Sequence, residues 1–550
     1  MGPPVESTAV RTRLGALLAV LLVALPAGAI AATSPPGRPA VPAALDRFFK
    51  YQRPAAYGSV MTEVRVAMRD GVHLDCYLYQ PTVKGTSTPA IGRFPGIIDN
   101  FTPYYIAYPF SAFSGKYFSE HGYLDVECTP RGTGLSEGTF GGWFSALETR
   151  DNFDLIEWLV HHPRSTGKVA QEGDSYGGMT AYRVAALHPP GLITIAPQQS
   201  YSSLYLDYTY PGGIRSLGDP YWFAFAGATG AGHSLASTQE VSWLQHPLLD
   251  GYWRQIDIDT RWSQIRLPIL GFGGWPDIFQ DAMARNYVGL AGPDTYLVDG
   301  PWTHGSTFDA TVTQGAMLAW FDRWLGGDDR APLPPTHVAS YVMPNGPWTT
   351  QADWPPPDAN PTAFALTTAG RISPTAGASG GATYVVSTAA GAVDLPAFDH
   401  LVFTGPVATV PTTIAGAGEL RLRATLTDPT GRATALPMVD TNFVLHLFDV
   451  APSGTQTLMT RGYLKASQYR THAMSSSIPL GARIDYRVPL WHVHWRLDPG
   501  HHLVLTLASG ESNCCLSAAP ALAQPLLPLR VTVATGASGS TLVLPLTPAP

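Results

Sequence analysis

The chain is poor in charge. Lys, Arg, Asp and Glu make up 14% of its 550 residues, and the net charge is −7. That sparse, acidic balance excludes the basic stripe by which a protein grips nucleic acid. Cysteine is rarer still, at four residues. A disulfide scaffold is not required, because a chain of this length buries a large apolar core. No second long apolar run follows the N-terminal one, so nothing in the body of the sequence reads as a transmembrane helix. Metal-ligand spacing is missing as well. His161-His162 and His501-His502 are adjacent pairs whose side chains diverge on regular structure. No metal and no cofactor is expected.

What is present begins at the N-terminus. Arg11 and Arg13 precede an apolar run, Leu14 to Leu25, followed by Pro26 and the A-x-A pattern Ala29-Ile30-Ala31. The run is short for a membrane span. Residues 1–31 are therefore predicted to be a signal peptide cleaved near Ala31. The mature protein is expected to be secreted, without stable membrane insertion. Four cysteines suit an oxidising compartment. Cys76 and Cys128 each fall in a predicted strand and can pair if those strands are neighbours, whereas Cys514 and Cys515 are adjacent.

Length predicts two or three domains. Glu63 to Met68 and His73 to Tyr79 alternate like strands around the turn signal Arg69-Asp70-Gly71, which predicts a hairpin. Strand-like runs then alternate with helical ones. Strands are expected at 94–99, 123–128, 169–173, 192–196, 267–273 and 295–299. Helices are expected at 114–121, 151–161, 179–186, 278–290 and 315–325. That alternation implies a mostly parallel sheet covered on both faces, over residues 32–197 and 263–329. Residues 198–262 interrupt it with a dense set of aromatics, from Tyr201 to Trp253. They are predicted to form a helical cap over the sheet edge, although aromatic stripes also build ordinary core. From residue 330 to 550 helical periodicity gives way to short alternating runs rich in Thr, Gly and Pro, which predicts an all-β sandwich.

The chemistry centres on Gly173-Asp174-Ser175-Tyr176-Gly177-Gly178, a strand running into Gly-x-Ser-x-Gly and then a helix. A nucleophilic serine on such an elbow needs small residues two before and two after it, so that neighbouring backbone can close in. Gly173 and Gly177 supply them. In this arrangement the acid and the histidine follow the serine, at the ends of later strands. Asp277 lies just beyond the strand at 267–273, and His304 just beyond the strand at 295–299. Competing histidines (His161, His162, His188, His246) sit in helices or before prolines, and Asp250, Asp257 and Asp259 precede the strand. The predicted triad is Ser175, Asp277 and His304. The oxyanion hole is expected to use the backbone N–H of Tyr176 and, from the loop after the 94–99 strand, the hydroxyl of Tyr104.

Arg69-Asp70-Gly71, Thr102-Pro103-Tyr104, Arg131 to Gly138, the elbow, Gly274-Trp275-Pro276-Asp277 and Gly300-Pro301-Trp302-Thr303-His304 occur in that order. Together they resemble the family of bacterial cocaine esterase, Xaa-Pro dipeptidyl-peptidase and α-amino acid ester hydrolase, over roughly residues 58–510. The resemblance implies an α/β hydrolase fold with a helical cap insertion, followed by a jelly-roll (galactose-binding-like) C-terminal domain. It also implies Tyr104 as the side-chain oxyanion donor. Thr-Pro-Tyr stands where Arg-x-Pro-Tyr is commoner in that family, and the cap carries no motif that transfers residue by residue.

The expected activity is hydrolysis of a carboxylic ester of a small molecule through an acyl-enzyme. Two alternatives stay open. One is a dipeptidyl-peptidase acting on short peptides, with Asp207, Asp219 or Glu240 holding the free amine. The other is a binding protein on an inactive hydrolase fold. The oligomeric state is not legible.

Overall fold

The predicted hairpin forms. In the computed structural model β1 (Gly58–Ala67) and β2 (His73–Thr82) pair antiparallel from Gly58↔Thr82 to Ala67↔His73, turning through Gly71 at φ 84°. Residues 40–104, 108–216, 236–290, 292–306, 312–386, 399–429, 440–511 and 529–548 are described. The predicted signal peptide, Cys514, Cys515, Asp219 and the aromatics Tyr221, Trp222, Phe223 and Phe225 lie outside them.

β3 (Phe94–Asp99) and β4 (Leu124–Cys128) come next in the chain. β2 runs antiparallel to β4 and places Cys76 opposite Cys128; the two form a disulfide. The sheet then continues in parallel from β4 through β3, β5 (Ser165–Asp174), β6 (Leu192–Gln198), β7 (Ile269–Gly274) and β8 (Thr295–Gly300). This is the order of an α/β hydrolase. The parallel strands are buried on both faces, which is why they read as continuous apolar runs. In β3, Ile98 belongs to the core that contains Leu159 of the helix Ala146–His161, and Ile97 to the opposite core with Phe118 of Tyr108–Glu120 and Phe321 of Thr313–Trp324. Here α1 is Ala43–Phe49, α2 is Tyr108–Glu120, α3 is Ala146–His161, α4 is Tyr176–Ala185, α5 is Ala236–Gln245, α6 is Gly251–Ile256, α7 is Ala282–Leu290 and α8 is Thr313–Trp324.

α3 starts one turn earlier than the apolar periodicity suggests. Ser145 caps it, its hydroxyl accepting the N–H of Glu148 at 3.1 Å. α7 starts later than the 278–290 expected, because Asp277 to Asp281 form turns ahead of it. Two of the quoted sequence motifs meet in one buried anchor. Arg131 forks onto Asp151 of α3 with two bonds of 2.6 Å and donates to Asp70 at 2.8 Å. This fixes the Gly-rich loop and the hairpin turn to α3.

The run at Val338–Val342 was expected in the all-β region. It pairs instead in parallel with β8 as β9 (Val338–Tyr341), and β10 (Trp348–Gln351) extends the same sheet. Periodicity reports a buried strand but not the sheet it joins. Beyond it, the described residues form a nine-stranded and a four-stranded antiparallel sheet that pack face to face as the expected β-sandwich. Leu420 and Leu422 on one sheet meet Leu445, Leu447, Leu505 and Leu507 on the other in a single core.

The segment between β6 and β7 contains a π-turn (Tyr205–Thr209), α5 and α6. Most of its described aromatics make core. Tyr201, Tyr205, Tyr210, Trp243 and Trp253 are buried, with Tyr205 stacked on Tyr210 at 5.0 Å and Trp243 against Trp253 at 5.7 Å. No helix among the described residues is long and apolar enough to cross a membrane.

Candidate active site

Ser175 occupies the single residue between β5 and α4. Its backbone stands at φ 52°, ψ −115°, a conformation that costs an L-residue energy and that the turn imposes. The backbone is crowded on every side. A Cβ on Gly177 would lie 2.5 Å from Asn100 Oδ1 and 3.1 Å from its Cα, and one on Gly173 would lie 2.8 Å from Gly177. Glycine at both positions is thus a packing requirement. The turn is pinned from two sides. The N–H of Ser175 donates to the Gln198 carbonyl at 3.0 Å, and the N–H of Asp174 donates to Asn100 Oδ1 at 3.0 Å.

The parallel order β5-β6-β7-β8 brings three strand ends to one edge of the sheet. Asp277 follows β7 and its side chain is fully buried. His304 follows β8 and its side chain is 30% exposed. His304 Nδ1 lies 2.7 Å from Asp277 Oδ1, and Nε2 lies 3.0 Å from Ser175 Oγ. The carboxylate holds the proton on Nδ1, which leaves the Nε2 lone pair to accept the serine hydroxyl hydrogen. Burial alone would lower the imidazole's proton affinity. The charge and hydrogen bond of Asp277, with the charge of Asp174, outweigh it and raise the pKa above its ordinary value. All three predicted residues therefore meet in one hydrogen-bonded line.

Tyr176 is the first residue of α4, so its N–H has no carbonyl one turn back within the helix. Its phenol is buried elsewhere: the hydroxyl donates to Glu148 Oε1 at 2.6 Å and accepts the Phe144 N–H at 3.3 Å. Burial pushes the Glu148 carboxyl up to about 7, against the pull of the Tyr176 hydroxyl and the Arg183 charge. Tyr104, half-buried on the loop after β3, packs edge-on against the Tyr176 ring at 5.6 Å. The loop after β3 and the residue after Ser175 are thus adjacent, as the oxyanion assignment needs.

Several supporting side chains carry no sequence signal. Gln199, fully buried just beyond β6, donates through Nε2 to the Thr303 carbonyl at 2.9 Å and accepts the Gly305 N–H at Oε1 at 2.7 Å. It clamps the backbone on both sides of His304. Phe279 packs edge-on on the His304 ring at 5.4 Å and meets Tyr208 at 6.1 Å, walling the site with aromatic surface. Asn100 could be read only as part of a loop until its partner on β5 was in place.

Of the acids considered for holding an amine, Asp207 is already engaged. Its Oδ2 accepts the N–H groups of Ser202 and Ser203, and its Oδ1 pairs with Arg285 at 2.6 Å. Asp219 and the side chain of Glu240 lie outside the described residues.

Residues 70–306 match the family described as X-Pro dipeptidyl-peptidase (S15 family). Residues 333–538 match its X-Pro dipeptidyl-peptidase C-terminal non-catalytic domain. A cocaine esterase from Rhodococcus sp. (strain MB1 Bresler) is 26% identical, over 82% of this chain and 91% of its own length. A CocE/NonD family hydrolase from Staphylococcus aureus superposes with a TM-score of 0.76 at 17% identity, covering 89% of this chain and 94% of that one. An α-amino acid ester hydrolase structure gives 0.73 at 19% identity, covering 90% and 98%.

Proposed function

As the chain belongs to the serine-hydrolase family of cocaine esterase, X-Pro dipeptidyl-peptidase and α-amino acid ester hydrolase, we propose that it cleaves carboxylic esters through an acyl-enzyme on Ser175. The reading rests on one observation, the hydrogen-bonded line Ser175 Oγ–His304 Nε2 and His304 Nδ1–Asp277 Oδ1. Ser175 Oγ attacks the acyl carbon while His304 Nε2 takes its proton. The tetrahedral oxyanion is held by the Tyr176 N–H and the Tyr104 hydroxyl. His304 then gives the proton to the leaving oxygen, and the ester C–O bond breaks. Water, deprotonated by His304, attacks the acyl-serine and releases the acid and free Ser175. Asp277 keeps the imidazole in register and balances the charge of the imidazolium.

An alternative, release of N-terminal dipeptides, draws support from the S15 match. It requires a carboxylate to meet a free amine, and Asp207 is spent on Arg285 and backbone N–H groups. Parallel assays with p-nitrophenyl acyl esters and an Ala-Pro-anilide separate the two. Faster turnover of the ester supports the esterase; faster turnover of the anilide by orders of magnitude makes the chain a peptidase.

We further propose that residues 1–31 direct export and that the domain plan is a hydrolase body (32–197 and 263–329), a cap (198–262) and a β domain from 330, with β9 and β10 completing the first sheet. The Cys76–Cys128 disulfide fits an oxidising destination.

A further inference from the structure

Four carboxyl groups meet under the sheet face that α2 covers, outside the triad. Asp99 comes from β3, Asp125 and Glu127 from β4, and Glu172 from β5. Exposure is 0% for Asp99 and Asp125, 6% for Glu127 and 2% for Glu172. Glu172 is accounted for. It accepts the Gln198 amide at 3.1 Å and shares a hydrogen bond with Asp99.

The other three converge differently. One carboxylate oxygen from each of Asp99, Asp125 and Glu127 lies within 4.8 Å of the others. Both oxygens of Asp125, Oδ2 of Asp99 and Oε1 of Glu127 accept from no N–H or O–H donor, although all are buried, while Asp99 also interacts with Asn100, Ser114 and Glu172. A pair of acids that shares a proton sits in hydrogen-bond contact; Asp99 and Glu172 are such a pair, whereas Asp125 and Glu127 feel the other acids through charge alone. Among the described residues no Lys, Arg or His charge acts on Asp99, Asp125 or Glu127. Buried carboxylates without a partner are strongly unfavourable unless each takes up a proton or something positive stands between them.

We propose that Asp99, Asp125 and Glu127 hold a divalent cation of the calcium class. The donor set is oxygen only, which suits calcium and magnesium and not the softer metals. Calcium–oxygen distances of about 2.3–2.6 Å put ligands on opposite sides of the ion about 5 Å apart, and neighbouring ligands closer. The observed convergence falls in that range. Sequence spacing hides such a site, because its ligands come from two adjacent strands and meet only once β3 and β4 pair.

The site has a mechanical link to the nucleophile. Asp99 Oδ1 accepts Asn100 Nδ2 at 2.7 Å, and Asn100 Oδ1 accepts the N–H of Asp174, the residue before Ser175. An ion fixing Asp99 would stiffen that path. Asp99 is then a positioning residue for the elbow, two hydrogen bonds removed from it.

The test uses the full chain. Bound metal is measured by inductively coupled plasma mass spectrometry after equilibration with millimolar CaCl2 and desalting. Thermal unfolding is compared in CaCl2, MgCl2 and EDTA. The expected result is about one calcium per chain and a Tm ~3 °C or more higher in CaCl2 than in EDTA. Asp125→Asn should lose both the bound ion and the Tm response. If that variant does not fold, terbium luminescence on wild-type protein, with calcium as competitor, decides the same question. No bound calcium, no terbium signal and an identical Tm in CaCl2 and EDTA would overturn the proposal and leave the cluster as protonated carboxyls.

Discussion

Gln199 accepts the backbone N–H of Gly305 at 2.7 Å and thereby ties the end of β6 to the loop that carries His304. Its other amide end grips Thr303, so the imidazole sits between two fixed points. A catalytic base must be held within a fraction of an ångström of its partner to act at full rate. Gln199→Ala should lower kcat by about 10–100-fold with a smaller change in KM. Gln199→Glu should restore the Gly305 bond but not the Thr303 bond, and recover part of the loss. Steady-state kinetics on the two variants checks this; a wild-type kcat in Gln199→Ala would reduce the residue to packing.

In the proposed mechanism His304 acts as a base only when neutral. Its raised pKa means that activity falls as pH drops through a value above about 6.5, the ordinary histidine value. The acid limb of kcat/KM reports that group in the free enzyme. Asp277→Asn removes the charge and the acceptor that raise it. The acid limb should then move to lower pH, while the rate falls by about 10⁴ as the imidazole loses its orientation. An unmoved limb in the variant would assign the titration to another group.

The Tyr104 hydroxyl is assigned to the oxyanion. Tyr104→Phe keeps the ring packing on Tyr176 and removes only that donor. Turnover should fall by about 10²–10³ with little change in Tm. Unchanged kinetics would leave the tyrosine as a wall of the site.

The elbow stores strain at Ser175. Ser175→Gly relieves a positive φ at a position glycine adopts freely, so the inactive variant should be more stable than wild type by about 1 kcal/mol. Ser175→Ala keeps the strain and should not gain that amount. Chemical denaturation of the two variants side by side measures the difference.

The hydrolase sheet and the positions of the proposed Ser175, Asp277 and His304 are legible because each leaves a local mark. Buried parallel strands read as apolar runs, and Asp277 and His304 each stand a few residues past such a run. The supporting residues leave none. Gln199 and Asn100 act through backbone groups distant in sequence, and Glu148 precedes the helix that apolar periodicity predicts and meets Tyr176 only in the fold. In the segment proposed as a cap, Tyr205, Tyr210 and Trp253 pack on one another, whereas Tyr208 meets the Phe279 ring beside His304. Composition cannot tell an aromatic core from an aromatic pocket. β9 pairs with the hydrolase sheet rather than the β domain for a similar reason: four buried residues carry no record of their neighbour.

The most direct measurement is covalent labelling with a fluorophosphonate, followed by peptide mass spectrometry. The expected result is a single adduct on Ser175, formed quickly in wild-type protein, slowed by orders of magnitude in His304→Ala and absent in Ser175→Ala. A wild-type protein that takes no label, or takes it on another serine, would contradict a nucleophilic Ser175 and return the chain to a binding role.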